Sequence, residues 1–93
     1  MAPDTRSVIE ELKVIVATEF AKNRTPDQIR DDEPLVSDSL NLDSMGLITL
    51  IELVEEKYDF QFEDTDLRPA TFENIGALAE AIYRHTDHKT LLA

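Results

Sequence analysis

Cysteine is absent from these 93 residues, so no disulfide can staple the fold and no protein thiol is available as a nucleophile, redox partner or zinc ligand. Any thiol chemistry has to use a borrowed thiol. Basic residues are scarce: nine Lys and Arg stand against twenty Asp and Glu, a formal net charge of -11. That balance repels nucleic acid phosphates and anionic membranes and attracts basic protein surfaces, so nucleic acid is not an expected partner. Long apolar runs are missing too. None approaches the roughly 20 residues of a membrane span, and no charged-then-apolar leader opens the chain, which predicts a cytoplasmic protein. Nothing alternates with period two for long enough to make a strand, and no internal repeat is visible.

What is present suits one small domain. Hydrophobic residues make up 42% of the chain, too many for a disordered acidic tail. After Pro3 and the capping candidates Asp4 and Thr5, Val8, Leu12, Ile15 and Val16 recur at helical spacing, predicting an amphipathic helix that ends near Ala21. From Lys22 to Asp43 the chain carries Pro26, Pro34 and many polar turn formers, yet Ile29, Leu35, Leu40 and Leu42 are spaced through it. This reads as a long loop pinned to the core by those apolar residues. Leu47, Leu50, Ile51, Val54 and Tyr58 then form a stripe at i, i+3, i+4, i+7 and i+11, the apolar face of a helix of about four turns. Beside it Glu52, Glu55, Glu56 and Asp59 make a negative flank, which taken alone reads as a solvated helix face.

Phe60 and Phe62 are expected to anchor the next turn, and Asp64 to Arg68 to form a single helical turn stopped by Pro69. Thr71 is then placed as the cap of a last helix with Ile75, Leu78, Ala79 and Ile82 toward the core. The expected architecture is all-α, a bundle of three long helices plus one short one with a long loop between the first two. Residues 1–93 are taken as a single domain with its core at about 5–84 and a flexible tail at 85–93. His85 and His88 in that tail could share a metal, but their expected state is solvent exposure, and no metal site is assigned.

The pair Asp-Ser occurs twice, as Asp38-Ser39 and as Asp43-Ser44. Extending the apolar stripe backwards from Leu47 by three and four residues lands on Ser44 and Asp43. A helix running through them would bury two polar side chains, at about 1–3 kcal/mol for each left unpaired, so the helix is predicted to start at Asp43 or Ser44. Ser44 is thereby placed at a helix N-terminus, where an attached or bound anion is favoured. Ser39 begins no periodic segment.

With these residues in view, Leu40-Asn-Leu-Asp-Ser-Met45 resembles the Leu-Gly-x-Asp-Ser-Leu motif at which acyl carrier and peptidyl carrier proteins receive a 4'-phosphopantetheine arm. Pro26-x-x-Ile29-x-x-Asp32-x-x-Leu35 before the motif, the acidic "IELVEEKYDF" helix after it and "TFENIGALAEAI" as the last helix extend the likeness from about Val8 to Tyr83. Carriers of this family usually have Gly three residues before the modified serine, a choice suited to a left-handed backbone. Asn41 stands there relative to Ser44, whereas Val36 stands there relative to Ser39, and of the two Asn is much the more tolerant.

The resemblance implies a four-helix bundle of acyl-carrier-protein type. It implies an arm from coenzyme A joined to the Ser44 hydroxyl by a phosphopantetheinyl transferase, with Asp43 and Met45 beside it, and a cargo held as a thioester on the borrowed thiol. The carrier is then not an enzyme. Met45, Ile48, Glu52, Glu55 and Glu56 become the surface met by loading enzymes (adenylating enzymes or acyltransferases) and by synthase or condensing enzymes with basic docking surfaces. A monomer is expected. Gly46, Thr49, Lys57 and Glu52 depart from the pattern of fatty-acid carriers. They point toward free-standing carriers of polyketide or other secondary-metabolite biosynthesis, with aminoacyl, peptidyl and D-alanyl carriers as the alternative.

Two rivals remain. Asn41 to Glu52 imitates a calcium-binding EF-hand loop, with Asn41 and Asp43 at ligand positions, Gly46 at the turn, Ile48 at the apolar position and Glu52 twelfth. Met45 stands where that loop needs a ligand, and Pro34 and the polar loop occupy the place of its entering helix. An acidic helical adaptor without a prosthetic group is the other.

Overall fold

The computed structural model describes residues 5–92, with side chains as far as Thr86. Helix α1 runs Thr5–Glu19, α2 Ser44–Tyr58 and α3 Ile75–Leu92. Three short 3-10 turns lie between them, at Pro26–Gln28, Asp64–Asp66 and Pro69–Phe72. Among the described residues there is no strand; the bridges Pro34 to Asn74 and Ser37 to Leu42 are isolated pairs.

The core is built from the stripes that the spacing predicts. Val8, Leu12 and Val16 of α1, Leu50 and Val54 of α2, and Ile75, Leu78, Ala79 and Ile82 of α3 have no exposed surface, and α1 packs along α3. The long loop joins this core as expected: Ile29, Leu35, Leu40 and Leu42 are at most 2% exposed. Each buried side chain of this kind contributes about 1.5–3 kcal/mol, enough to hold irregular backbone in place. Lys13 of α1 also reaches the loop, with Nζ 2.6 Å from Asp31 Oδ1.

Three local expectations need correction. The short fourth helix is not one helical turn over Asp64–Arg68 but two 3-10 turns, Asp64–Asp66 and Pro69–Phe72, separated by Arg68, which Pro69 holds out of helical backbone at φ −127°, ψ 152°. Thr71 does not cap α3. It is buried in the third 3-10 turn, and Asn74 caps instead, its Oδ1 accepting from the Ala77 N–H at 2.8 Å. His85 is partly buried rather than held out in solvent: its ring stacks on Phe60 at 4.9 Å between centroids and its Nε2 lies 2.7 Å from Asp66 Oδ2. The contact ties the second 3-10 turn to α3, which is helical across residues 85–92. Asp4 and the side chain of His88 lie outside the described residues, among which no cluster of three potential metal ligands occurs. None of the described helices is long and apolar enough to cross a membrane.

Candidate functional site

The segment leading into α2 is a tight turn. Ser37 and Leu42 exchange backbone hydrogen bonds, Ser37 N to Leu42 O at 2.9 Å and Leu42 N to Ser37 O at 3.1 Å. Closing it requires Asn41 to adopt φ 53°, the left-handed conformation that β-branched residues avoid, and the Asn41 amide donates to the Phe20 carbonyl at 3.3 Å. Asp43 follows in extended backbone as the N-cap of α2, its Oδ1 accepting from Gly46 N at 2.8 Å while its carbonyl accepts from Leu47 N at 2.9 Å.

Ser44 is therefore the first residue of α2, and it is exposed. Its hydroxyl has no hydrogen-bond partner among the described residues. The first-turn N–H groups of Ser44 and Met45, which no intrahelical carbonyl can reach, make the adjoining space favourable for an anion.

Ser39 is in the opposite condition. Its hydroxyl donates to Glu33 Oε2 at 2.7 Å and lies 3.2 Å from the Ser37 hydroxyl, and its carbonyl accepts from Arg24 Nη1 at 3.3 Å. Glu33 in turn receives both arms of the Arg24 guanidinium, at 2.5 and 3.1 Å, and the Arg30 N–H at 3.3 Å. The guanidinium hydrogen bond holds the Glu33 carboxyl at about 2, against an ordinary value of 4.5. In the second 3-10 turn, burial raises the Asp66 carboxyl, but the Glu63 N–H and His85 outweigh it and leave the carboxyl lowered.

Both shifts have the same sign consequence. A depressed carboxyl adds stability that is complete above its unfolded value and is lost as pH falls toward its folded value. Stability should thus decline as pH drops from about 5 toward 2, and thermal unfolding followed by circular dichroism should show Glu33→Gln losing less over that interval than the wild type.

Of the residues placed beside Ser44 by sequence, Met45 is 71% and Ile48 51% exposed, and Glu52 and Glu56 are exposed on the same helix. Glu55 differs: half-buried, it accepts from the Phe62 N–H at 2.9 Å, so its carboxylate is engaged within the chain. The structure adds residues that sequence reasoning missed. Val36, Leu47, Ile51, Leu67, Pro69 and Phe72, together with Arg68, line a mostly apolar cleft flanking α2, with Val36 46% and Leu67 54% exposed. The signal for Leu67 was an apolar residue stranded in a polar segment, and for Val36 an apolar residue beside Leu35 with no place in a helical stripe.

Gly46 has negative φ, and an added Cβ would sit 3.4 Å from the Phe20 ring and from Asp43 Oδ1, ordinary contact distances. Alanine would fit there, so neither backbone conformation nor space demands glycine. The EF-hand reading fails on geometry: a calcium loop curls its first, third and fifth residues around an ion, but from Ser44 to Glu52 the chain is regular helix.

The sequence matches the family described as "Phosphopantetheine attachment site" over residues 10–82. Among solved structures the fold is similar to the solution structure of a holo acyl carrier protein from Nitrosomonas europaea, with a TM-score of 0.69 and 25% sequence identity over 89% of this chain and 95% of that one. A comparison with curated protein sequences finds no match.

Proposed function

Because the chain belongs to the phosphopantetheine attachment family, and is thus a non-catalytic carrier with a 4'-phosphopantetheine prosthetic group, we propose that the Ser44 hydroxyl is the point of attachment. The observation that carries this reading is the contrast between the two serines: Ser44 heads α2 with a free hydroxyl, and Ser39 is bonded to Glu33. The left-handed Asn41 three residues before Ser44 supports it. Open amides at the head of α2 favour a negative phosphodiester by about 0.3–1 kcal/mol. Asp43 and Met45 flank the attachment point, Asp43 holding the helix start by its cap and Met45 offering apolar surface. When bound, the arm supplies the thiol that this cysteine-free chain lacks.

The cargo is proposed to be an acyl group, carried in polyketide or other secondary-metabolite biosynthesis. The apolar cleft of Val36, Leu47, Ile51, Leu67 and Phe72 supports an acyl over an aminoacyl load, since an ammonium group would be costly to bury there. Partners are the transferase, a loading enzyme and condensing enzymes whose basic surfaces meet Met45, Ile48, Glu52 and Glu56; Glu55 contributes to the negative field rather than as a free contact. A net charge of -11 supports a monomer, because copies repel one another. We place this single carrier domain in the cytoplasm.

The test is to incubate the chain with coenzyme A and a phosphopantetheinyl transferase, then with candidate adenylating enzymes and acyltransferases, weighing the product at each step. One arm followed by an acyl increment is expected. An aminoacyl increment would overturn the cargo assignment, and no arm would overturn the carrier site.

A further inference from the structure

The backbone that presents Ser44 has no regular structure between the end of α1 and the start of α2 apart from one 3-10 turn. Left to itself, such a segment samples many conformations, and fixing each residue costs about 1–2 kcal/mol of conformational entropy. Leu40 and Leu42 bury two points of it, but the turn between Ser37 and Leu42 also carries polar groups that face outward. One side chain gathers these. Arg24 lies just beyond α1 with its side chain 22% exposed. Its guanidinium donates bidentately to Glu33, to the Gln28 carbonyl, and to the Ser39 carbonyl at 3.3 Å. Glu33 passes the connection on to the Ser39 hydroxyl, and Ser37 closes the chain of contacts by donating to the Pro34 carbonyl at 3.0 Å.

We infer that Arg24 is a positioning residue for arm addition, acting through Glu33 as a strut that holds the turn preceding Ser44 in the form a transferase binds. The inference rests on Ser44 being the attachment point. Among the described residues Arg24 makes no hydrogen bond or ion pair to the Ser44 hydroxyl or to α2; it fixes the Ser39 end of the turn, while the Asn41 amide bonded to the Phe20 carbonyl fixes the other. Both anchors lie in the segment just after α1, so the turn is held between two points of one short stretch. The planar fork of Arg suits this task, because three acceptors lie in different directions around one guanidinium. Lysine offers a single point charge that cannot reproduce the bidentate contact.

If the strut is lost, the binding-competent turn becomes one conformation among several. Apparent affinity then falls in proportion to its population, while the rate from the bound complex is unaffected. A competent fraction of about one tenth would raise KM about tenfold with kcat unchanged.

The experiment compares wild type, Arg24→Gln, Arg24→Lys and Glu33→Gln as substrates of a phosphopantetheinyl transferase with coenzyme A, at a temperature far below each variant's unfolding midpoint. Ile82→Val, a change in the α3 core away from the strut, controls for lost stability alone. Peptide mass spectrometry locates the arm in every case. The expected result is an arm on Ser44 throughout, KM raised about tenfold in Arg24→Gln and Glu33→Gln with kcat within about twofold, partial recovery in Arg24→Lys, and wild-type KM in Ile82→Val. Amide hydrogen exchange should quicken across residues 37–42 and not within α3. Unchanged KM in Arg24→Gln and Glu33→Gln, or an equal rise in Ile82→Val, would overturn the strut while leaving Ser44 in place. An arm found elsewhere in the wild type would overturn the attachment site itself.

Discussion

Replacing Ser44 by alanine is expected to abolish arm addition completely, while Ser39→Ala leaves the single addition intact. The difference follows from what each hydroxyl is doing. The arm can be accepted only by an oxygen that is free to attack and to lose its proton, and the Ser44 hydroxyl stands exposed at the head of α2 without a partner among the described residues. The Ser39 hydroxyl is instead held inside the loop, donating to Glu33 Oε2 at 2.7 Å, a carboxylate gripped by Arg24, so it cannot swing out toward an enzyme without breaking that network. Loss of modification in Ser44→Ala could not be blamed on unfolding. Exposed substitutions away from special contacts usually change stability by no more than about 0.5 kcal/mol, and the cap on α2 comes from Asp43, which the substitution leaves alone. Intact mass after treatment with transferase and coenzyme A reads the result directly. One arm on the Ser44→Ala chain would show that the helix start does not define the site.

Leu40→Ala should cost about 2–5 kcal/mol of stability, out of the 5–15 kcal/mol typical of a whole domain. Leu40 has no exposed surface although it lies between two exposed polar residues, Ser39 and Asn41. Truncation removes its transfer free energy and leaves a hole in a core the loop helps to fill. Val36→Ala makes the comparison: at 46% exposure it should cost well under half as much. Urea unfolding of both variants measures the difference. A loss below about 1 kcal/mol in Leu40→Ala would mean that the loop rests on the core without being part of it.

How much of this was legible in advance depended on range. The three helices could be read because each buries a face whose spacing repeats every few residues, and the start of α2 could be read because Asp43 and Ser44 would otherwise have been turned inward. The left-handed Asn41 was legible only through the family resemblance, whose usual Gly three residues before the serine suits that conformation; Asn tolerates it far better than Val. The end of the 60–75 region was less so. Thr71 and Asn74 are both acceptable caps by residue type, and burial of Thr71 in a turn beside Pro69 decided between them. His85 looked like part of a tail, because nothing nearby in sequence reveals Phe60 and Asp66 waiting to pack against it.

By itself, the sequence determined the helical class, the absence of any thiol of its own, the excess of negative charge and the start of α2 at Ser44 rather than at Ser39. These properties rest on composition or on relations between residues a few positions apart, which the chain carries wherever it goes. Only the tertiary structure decided that Ser39 is tied up by Glu33 and Arg24, that Glu55 turns back to Phe62, and that Val36 and Leu67 share a cleft with Leu47 and Ile51. Those relations join residues brought together by the packing of helices and loop, and no local pattern encodes which distant partner a side chain will meet.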